Sequence, residues 1–158
     1  MAVSIKSERR ALVVLLKEID TNHGTSRVSC TYTPSIETYN IVTDNMTDDC
    51  IPTQLGNGCC IWLNGKGQLG EIECICPKNF KNGISTYFHL DEWIKGTPSF
   101  EISSIDDDVV IEQLEDGYII WLSEKSNVEL EVSQSGISYL LSGNKLSGIV
   151  AKKSKIIE

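Results

Sequence analysis

Two histidines and six cysteines are the residues of this 158-residue chain with the most reactive chemistry. His89 lies in the amphipathic run Tyr87-Phe88-His89-Leu90-Asp91-Glu92-Trp93, whereas His23 sits in a polar, solvated loop. A catalytic imidazole needs an orienting partner and a nucleophile within reach. Asp91 and Glu92 are near in sequence, but no Gly-x-Ser-x-Gly or comparable signature accompanies them, so His89 reads as structural and no catalytic residue is expected. The cysteines are Cys30, Cys50, Cys59, Cys60, Cys74 and Cys76. A Cys-Cys pair and a Cys-x-Cys on strands lack the Cys-x₂-Cys knuckle spacing of a zinc or iron site. They read as small core hydrophobes with reduced thiols, implying no metal and no cofactor. Strand alternation sends Ile72, Cys74 and Cys76 inward and Glu71, Glu73 and Ile75 outward, because paired carboxylates are costly to bury. Whether Cys59 or Cys60 shares the side of Ile72 depends on whether the intervening glycine loop has three or four residues, which stays open.

Other residue types weigh against enzymatic and nucleic-acid chemistry. The pairs Glu71/Glu73 and Glu129/Glu131 resemble a glycosidase dyad, but each projects from the solvent side of a strand as protection of a wet face. Gly65-x-Gly67 and Gly136 fall in hairpin contexts with no following helix, so neither is a phosphate loop. Trp62, Trp93 and Trp121, with Tyr39, Tyr118 and Tyr139, would stack on bases only beside a basic groove. The chain carries −8 instead, so these aromatics read as core.

The charge itself is unevenly placed. Residues 1–99 hold nine Lys/Arg against eleven Asp/Glu, and residues 100–158 hold five against eleven. No basic residue occurs between Lys95 and Lys125. Such a field repels phosphate backbones and steers basic partners. Asp106, Asp107, Asp108, Glu112, Glu115 and Asp116 are the expected docking charges.

These residues must be positioned by a scaffold that reads as one domain spanning residues 1–158. Hydrophobic content of 41% and charged content of 23% are those of a globular protein. No apolar run approaches the roughly 18 residues of a membrane span. The run Ala11 to Leu16 after Lys6, Arg9 and Arg10 imitates a leader but is short and lacks a cleavage site, so a cytoplasmic location is expected. Leu12, Leu15, Leu16 and Ile19 fall at helical spacing behind Ser7, which predicts a helix over 7–20.

Beyond it, two stretches repeat. Tyr39-Asn40-Ile41-Val42-Thr43 aligns with Tyr118-Ile119-Ile120-Trp121-Leu122, Gly58 with Gly136, and Ile72 with Ile149. The first unit, 27–77, has strands predicted near 27–33, 38–44, 58–63 and 69–76, with a polar connector from Asn45 to Leu55. The second, 108–153, has them near 108–114, 118–123, 136–141 and 145–152, and Val128 to Val132 alternates with one side buried. A connector over 78–107 suggests a short strand at Ser85 to His89 and a helical turn at Asp91 to Lys95. The expected fold is α+β and mainly antiparallel: two related four-stranded units packed with pseudo-twofold character, plus the N-terminal helix.

The second unit resembles a family of very short bacterial β-hairpin proteins of unknown function, through Asp116 to Ser123, Val128 to Val132 and Gly136 to Ile149. It departs from that family's pattern in having Gly143-Asn144 and Ile149-Val150-Ala151 near its end. The resemblance implies β architecture, tandem copies and no known catalytic residue. In size, acidity and β-richness the whole chain is similar to immunity proteins of contact-dependent inhibition and polymorphic toxin systems. That similarity implies a non-enzymatic bacterial protein that occludes the active site of a cognate basic toxin, for instance a nuclease. It implies no nucleic-acid or membrane partner and leaves the oligomeric state open. The alternative is a small enzyme, or a cysteine-rich metal-binding protein, with a cleft between the two units.

Overall fold

The computed structural model describes residues 13–22, 26–56, 58–87, 89–104, 109–123 and 127–158. Among them the chain is all-β, with a nine-stranded and a six-stranded sheet, both mixed, one 3-10 turn at Pro34–Ile36 and no α-helix. The α+β expectation is thereby corrected. Residues 7–12 of the expected helix lie outside the described residues, and the remainder is strand β1 (Val13–Asp20). It pairs antiparallel with β9 (Thr97–Ser104), with register shifts at Val13/Val14 and between Leu16 and Glu18, and on its other side Leu15 pairs with Lys145. A bulge adds one residue to one strand. Val14 is buried, and both Leu16 and Ile19 pack against the core. The second bulge therefore gives a strand an i, i+3 apolar spacing that imitates a helical turn.

Both halves of the repeat form five strands. The first contains β2 (Val28–Thr33), β3 (Thr38–Thr43), β4 (Ile51–Gln54), β5 (Cys59–Leu63) and β6 (Leu69–Ile75). The second contains β10 (Val110–Leu114), β11 (Tyr118–Trp121), β12 (Leu130–Gln134), β13 (Ile137–Ser142) and β14 (Lys145–Ala151). Their strand orders coincide, β2-β3-β6-β5-β4 in one sheet and β10-β11-β14-β13-β12 in the other. The expectation of four strands per unit fails at β4, an edge strand containing Pro52 and mostly exposed residues. Such a strand leaves no alternating apolar signal in the sequence.

Equivalent residues meet at equivalent places. Ile41 lies opposite Ile72, and Ile120 opposite Ile149. The rings of Tyr39 and Tyr118 meet edge-on between the sheets, with centroids 4.9 Å apart and planes at 74°. This geometry brings a positive ring edge to a negative ring face. Both hydroxyls are satisfied: Gln113 Nε2 donates to Tyr39 at 2.7 Å, and Tyr118 donates to the Thr31 and Asn40 carbonyls. One apolar core draws on the inner faces of both sheets, including Ile61, Ile72, Ile111, Ile120 and Leu141.

The connector is more ordered than its sequence suggests. It holds β7 (Asn79–Ser85), β8 (Trp93–Lys95) and β9. β7 lies parallel beside β10, and β8 lies parallel beside β12, so they line opposite edges of the second unit. The strand expected at 85–89 lies upstream instead, over 79–85, with 86, 87 and 89 outside it, and the helical turn expected at 91–95 is strand from Trp93. Between them a strap, described at residues 86–87 and 89–92, leads from one edge of the sheet to the other. Tyr87 of the strap packs on a second apolar cluster of Leu114, Ile119, Trp121, Leu140 and Val150. These side chains occupy the outer face, since Ile119 and Trp121 alternate with the core residues Tyr118 and Ile120. A two-residue strand, β15 (Lys155–Ile156), runs parallel to β2 and edges the six-stranded sheet.

Candidate functional site

Three residues of the strap, Tyr87, His89 and Leu90, converge on one carboxylate, that of Glu131. Glu129 projects into solvent as expected of an outward residue, but Glu131 is 0% exposed, which corrects the expectation that both face water. The strap covers it and supplies its partners. Glu131 Oε2 accepts from the Tyr87 hydroxyl, from Ser138 Oγ at 2.6 Å and lies 2.8 Å from His89 Nδ1, while Oε1 accepts from the Leu90 N–H at 3.0 Å. Burial alone would raise the pKa of this carboxyl, but the hydrogen bonds from Ser138, Tyr87, Leu90 and His89 outweigh it and hold the group below the ordinary glutamate value. The alternation Val128 to Val132 shows which residues share a face. It carries no sign of a segment forty residues upstream in the chain that returns to cover that face.

Around His89 the strap and β8 build one wall of a cavity of about 470 Å³. Trp93 stacks on the imidazole, with centroids 4.9 Å apart and planes at 24°. Lys95, Ser133, Gln134 and Lys152 contribute to its polar lining, with Asn22, Ser26, Thr97 and Ser135. Lys152 Nζ donates to Ser133 Oγ at 2.7 Å and to the Ser135 carbonyl at 3.3 Å. Burial holds its ammonium below the ordinary lysine range; Glu131 opposes that shift and Lys95 reinforces it. His89 thus has the cavity and the second polar group that a catalytic reading requires. Among the described residues, however, its only hydrogen-bond partner is Glu131, and no hydroxyl or thiol is bonded to the imidazole as a nucleophile would be. The arrangement can orient an imidazole and present it, with two lysines, to a bound molecule.

The expected docking charges divide. Asp106, Asp107 and Asp108 lie outside the described residues. Glu112 is only 9% exposed, on the outer face of β10. Its carboxylate accepts from Trp121 Nε1 at 2.8 Å and pairs with Lys81 Nζ at 3.7 Å, and Lys81 also lies over the Trp121 ring. Glu112 therefore spends its charge inside the molecule. Glu115 and Asp116 are exposed in the β10–β11 turn, where the Glu115 carboxylate accepts from the Thr86 hydroxyl. Beside them runs β7, which among the described residues pairs with β10 alone and ends the sheet. It carries Phe80, 49% exposed, and Ile84, 72% exposed. Sequence reading passed over both because Asn79-Phe80-Lys81-Asn82-Gly83-Ile84-Ser85 is rich in turn formers. The available signal is two large apolar residues, Phe80 and Ile84, in the otherwise polar run 79–85.

The cysteines scatter. Cys59 faces Cys74 across β5 and β6, with sulfurs 2.8 Å apart, and Ile61 faces Ile72. The connection between these strands, 64–68, has five residues and follows a register shift at Trp62/Leu63. Cys30, Cys59 and Cys74 are buried, Cys50 and Cys60 partly so, and Cys76 is exposed. The inward placement expected of Cys76 is corrected by its left-handed backbone (φ 49°), which ends the alternation of β6. Among the described residues no three His, Cys, Asp or Glu side chains converge on a common point. No known protein-family model matches the chain, and no curated protein is significantly similar to it.

Proposed function

We propose that this is a non-enzymatic binding protein of the immunity type, which neutralises a basic protein toxin by covering its active cleft. The observation that carries the reading is the open edge of β7, where exposed Phe80 and Ile84 adjoin the acidic turn Glu115-Asp116. An unpaired strand edge offers a row of backbone donors and acceptors to a partner. Apolar anchors within a charged rim are the usual anatomy of a binding surface. A net charge of −8 favours a basic partner and raises its association rate. Asp106, Asp107 and Asp108 join the proposed acidic surface from their place in the sequence just before β10. Glu112 drops out, since its carboxylate already serves Trp121 and Lys81.

Affinity capture from the native bacterium is expected to recover a stoichiometric basic protein. Ile84→Lys should then weaken the purified complex at least about tenfold, roughly 1.4 kcal/mol, without lowering the melting temperature. The double variant Glu115→Gln/Asp116→Asn should slow association and flatten its salt dependence. Capture of no such protein, or an Ile84→Lys variant with unchanged affinity, overturns the reading.

A further inference from the structure

At the opposite edge of the nine-stranded sheet from β7, the cavity beside His89 gathers positive charge in an acidic protein. Lys95, Lys152 and His89 line it, and no aspartate or glutamate among the described residues does. Glu131 acts electrostatically on Lys152 but is not bonded to it, and its carboxylate is occupied by four donors, the His89 imidazole among them. Lys152 is partly buried, yet among the described residues its ammonium donates only to a hydroxyl and a carbonyl, both neutral. An ammonium has three donors, so one remains for a ligand. A cation drawn out of water without a directly bonded counter-charge is costly, and an anion beside it relieves that cost. Ser133 adds a hydroxyl on the same wall, and Trp93 closes the cavity with an aromatic face held in place by stacking. At about 470 Å³ the space suits a small molecule rather than a polymer.

We propose that this cavity is a binding site for a small oxyanion-bearing molecule, its phosphate or carboxylate seated between Lys152 and Lys95 and beside the His89 imidazole. Glu131 fixes that imidazole through Nδ1, leaving Nε2 as the atom that meets the ligand. The site stands apart from the β7 edge, so each can fail without the other.

The test is a titration followed by NMR of the His89 imidazole and the Trp93 indole N–H, using inorganic phosphate, acetate and, at matched ionic strength, chloride. Phosphate or acetate should shift both signals saturably, and chloride should not. The tighter of the two assigns the phosphate- or carboxylate-bearing class. Lys152→Gln should weaken binding at least about tenfold and Lys95→Gln about threefold. The second variant alters an exposed side chain and remains informative if the first disturbs the fold. Signals that follow chloride equally, or affinities unchanged in the folded variants, overturn the proposal.

Discussion

Glu131 is the residue on which most of the outer face depends, and its protonation has a defined sign. The carboxyl's folded pKa is held below the ordinary glutamate range, about 4.3 in unstructured peptides. Its contribution is therefore complete above that value and is lost as the pH falls through the lower folded value. Glu131→Gln keeps the shape but turns one acceptor into a donor facing groups that themselves donate. At pH 7 it should cost about 2–4 kcal/mol, read from urea unfolding midpoints. The gap to the parent should narrow at pH 3; a gap that stays constant would show that the negative charge is not what the strap requires. Little of this was visible in the sequence. Glu129 and Glu131 are both glutamates on the same side of an alternating strand, and only the path of residues 86–92 separates a solvated one from a buried one. Tyr39, Tyr118 and Tyr139 were legible as core because their neighbours repeat in step, whereas Trp93 departs from that expectation by stacking on His89 at 42% exposure.

Among the elements, the hairpins were the readable part. Local turns and period-two alternation act over a few residues, and the strands 28–33, 38–43, 59–63, 69–75, 110–114 and 137–142 announce themselves that way. Strands β1, β4, β7 and β8 owe their existence to distant partners, which a local pattern cannot supply. β1 is the clearest case. Leu16 lies opposite Phe100 and Glu18 opposite Ser99, so Lys17 is the extra residue of the bulge. Deleting Lys17 removes the bulge and leaves Ile19 two residues from Leu16, still on the core side. The deletion is therefore expected to change stability by under about 1 kcal/mol, whereas Ile19→Lys removes the apolar contact itself and should cost about 2–3 kcal/mol, the scale of unburying one large aliphatic side chain. For a chain of this size the substitution corresponds to a fall of roughly 5–10 °C in melting temperature by scanning calorimetry. A deletion that lowers the melting temperature as far as the substitution would mean that the bulge itself serves the packing.

For the molecule as a whole, one apolar core joins two sheets that share a strand order. β9 reinforces the link, since Ser99 bridges to Gln68 and the Phe100 N–H donates to the Gly67 carbonyl at 2.8 Å. Thermal unfolding should therefore be a single transition with calorimetric and van't Hoff enthalpies in agreement. Two resolved transitions would show that the halves melt separately. The repeat was legible because it lies in short-range spacing. Its placement on two sheets was not, since that depends on pairings across the connector and the C-terminus.

Those pairings change what the connector is. β7 and β8 occupy the two flanks of the second unit, and both come from the stretch that separates the copies. The passage between repeats hems both flanks of the second copy, and on the β7 side the hem is itself the exposed edge. Replacing it with a flexible spacer of equal length would bare β10 and β12 and remove the edge on which partner binding is proposed. The segment least like the repeats is thus the one an engineer could least afford to exchange.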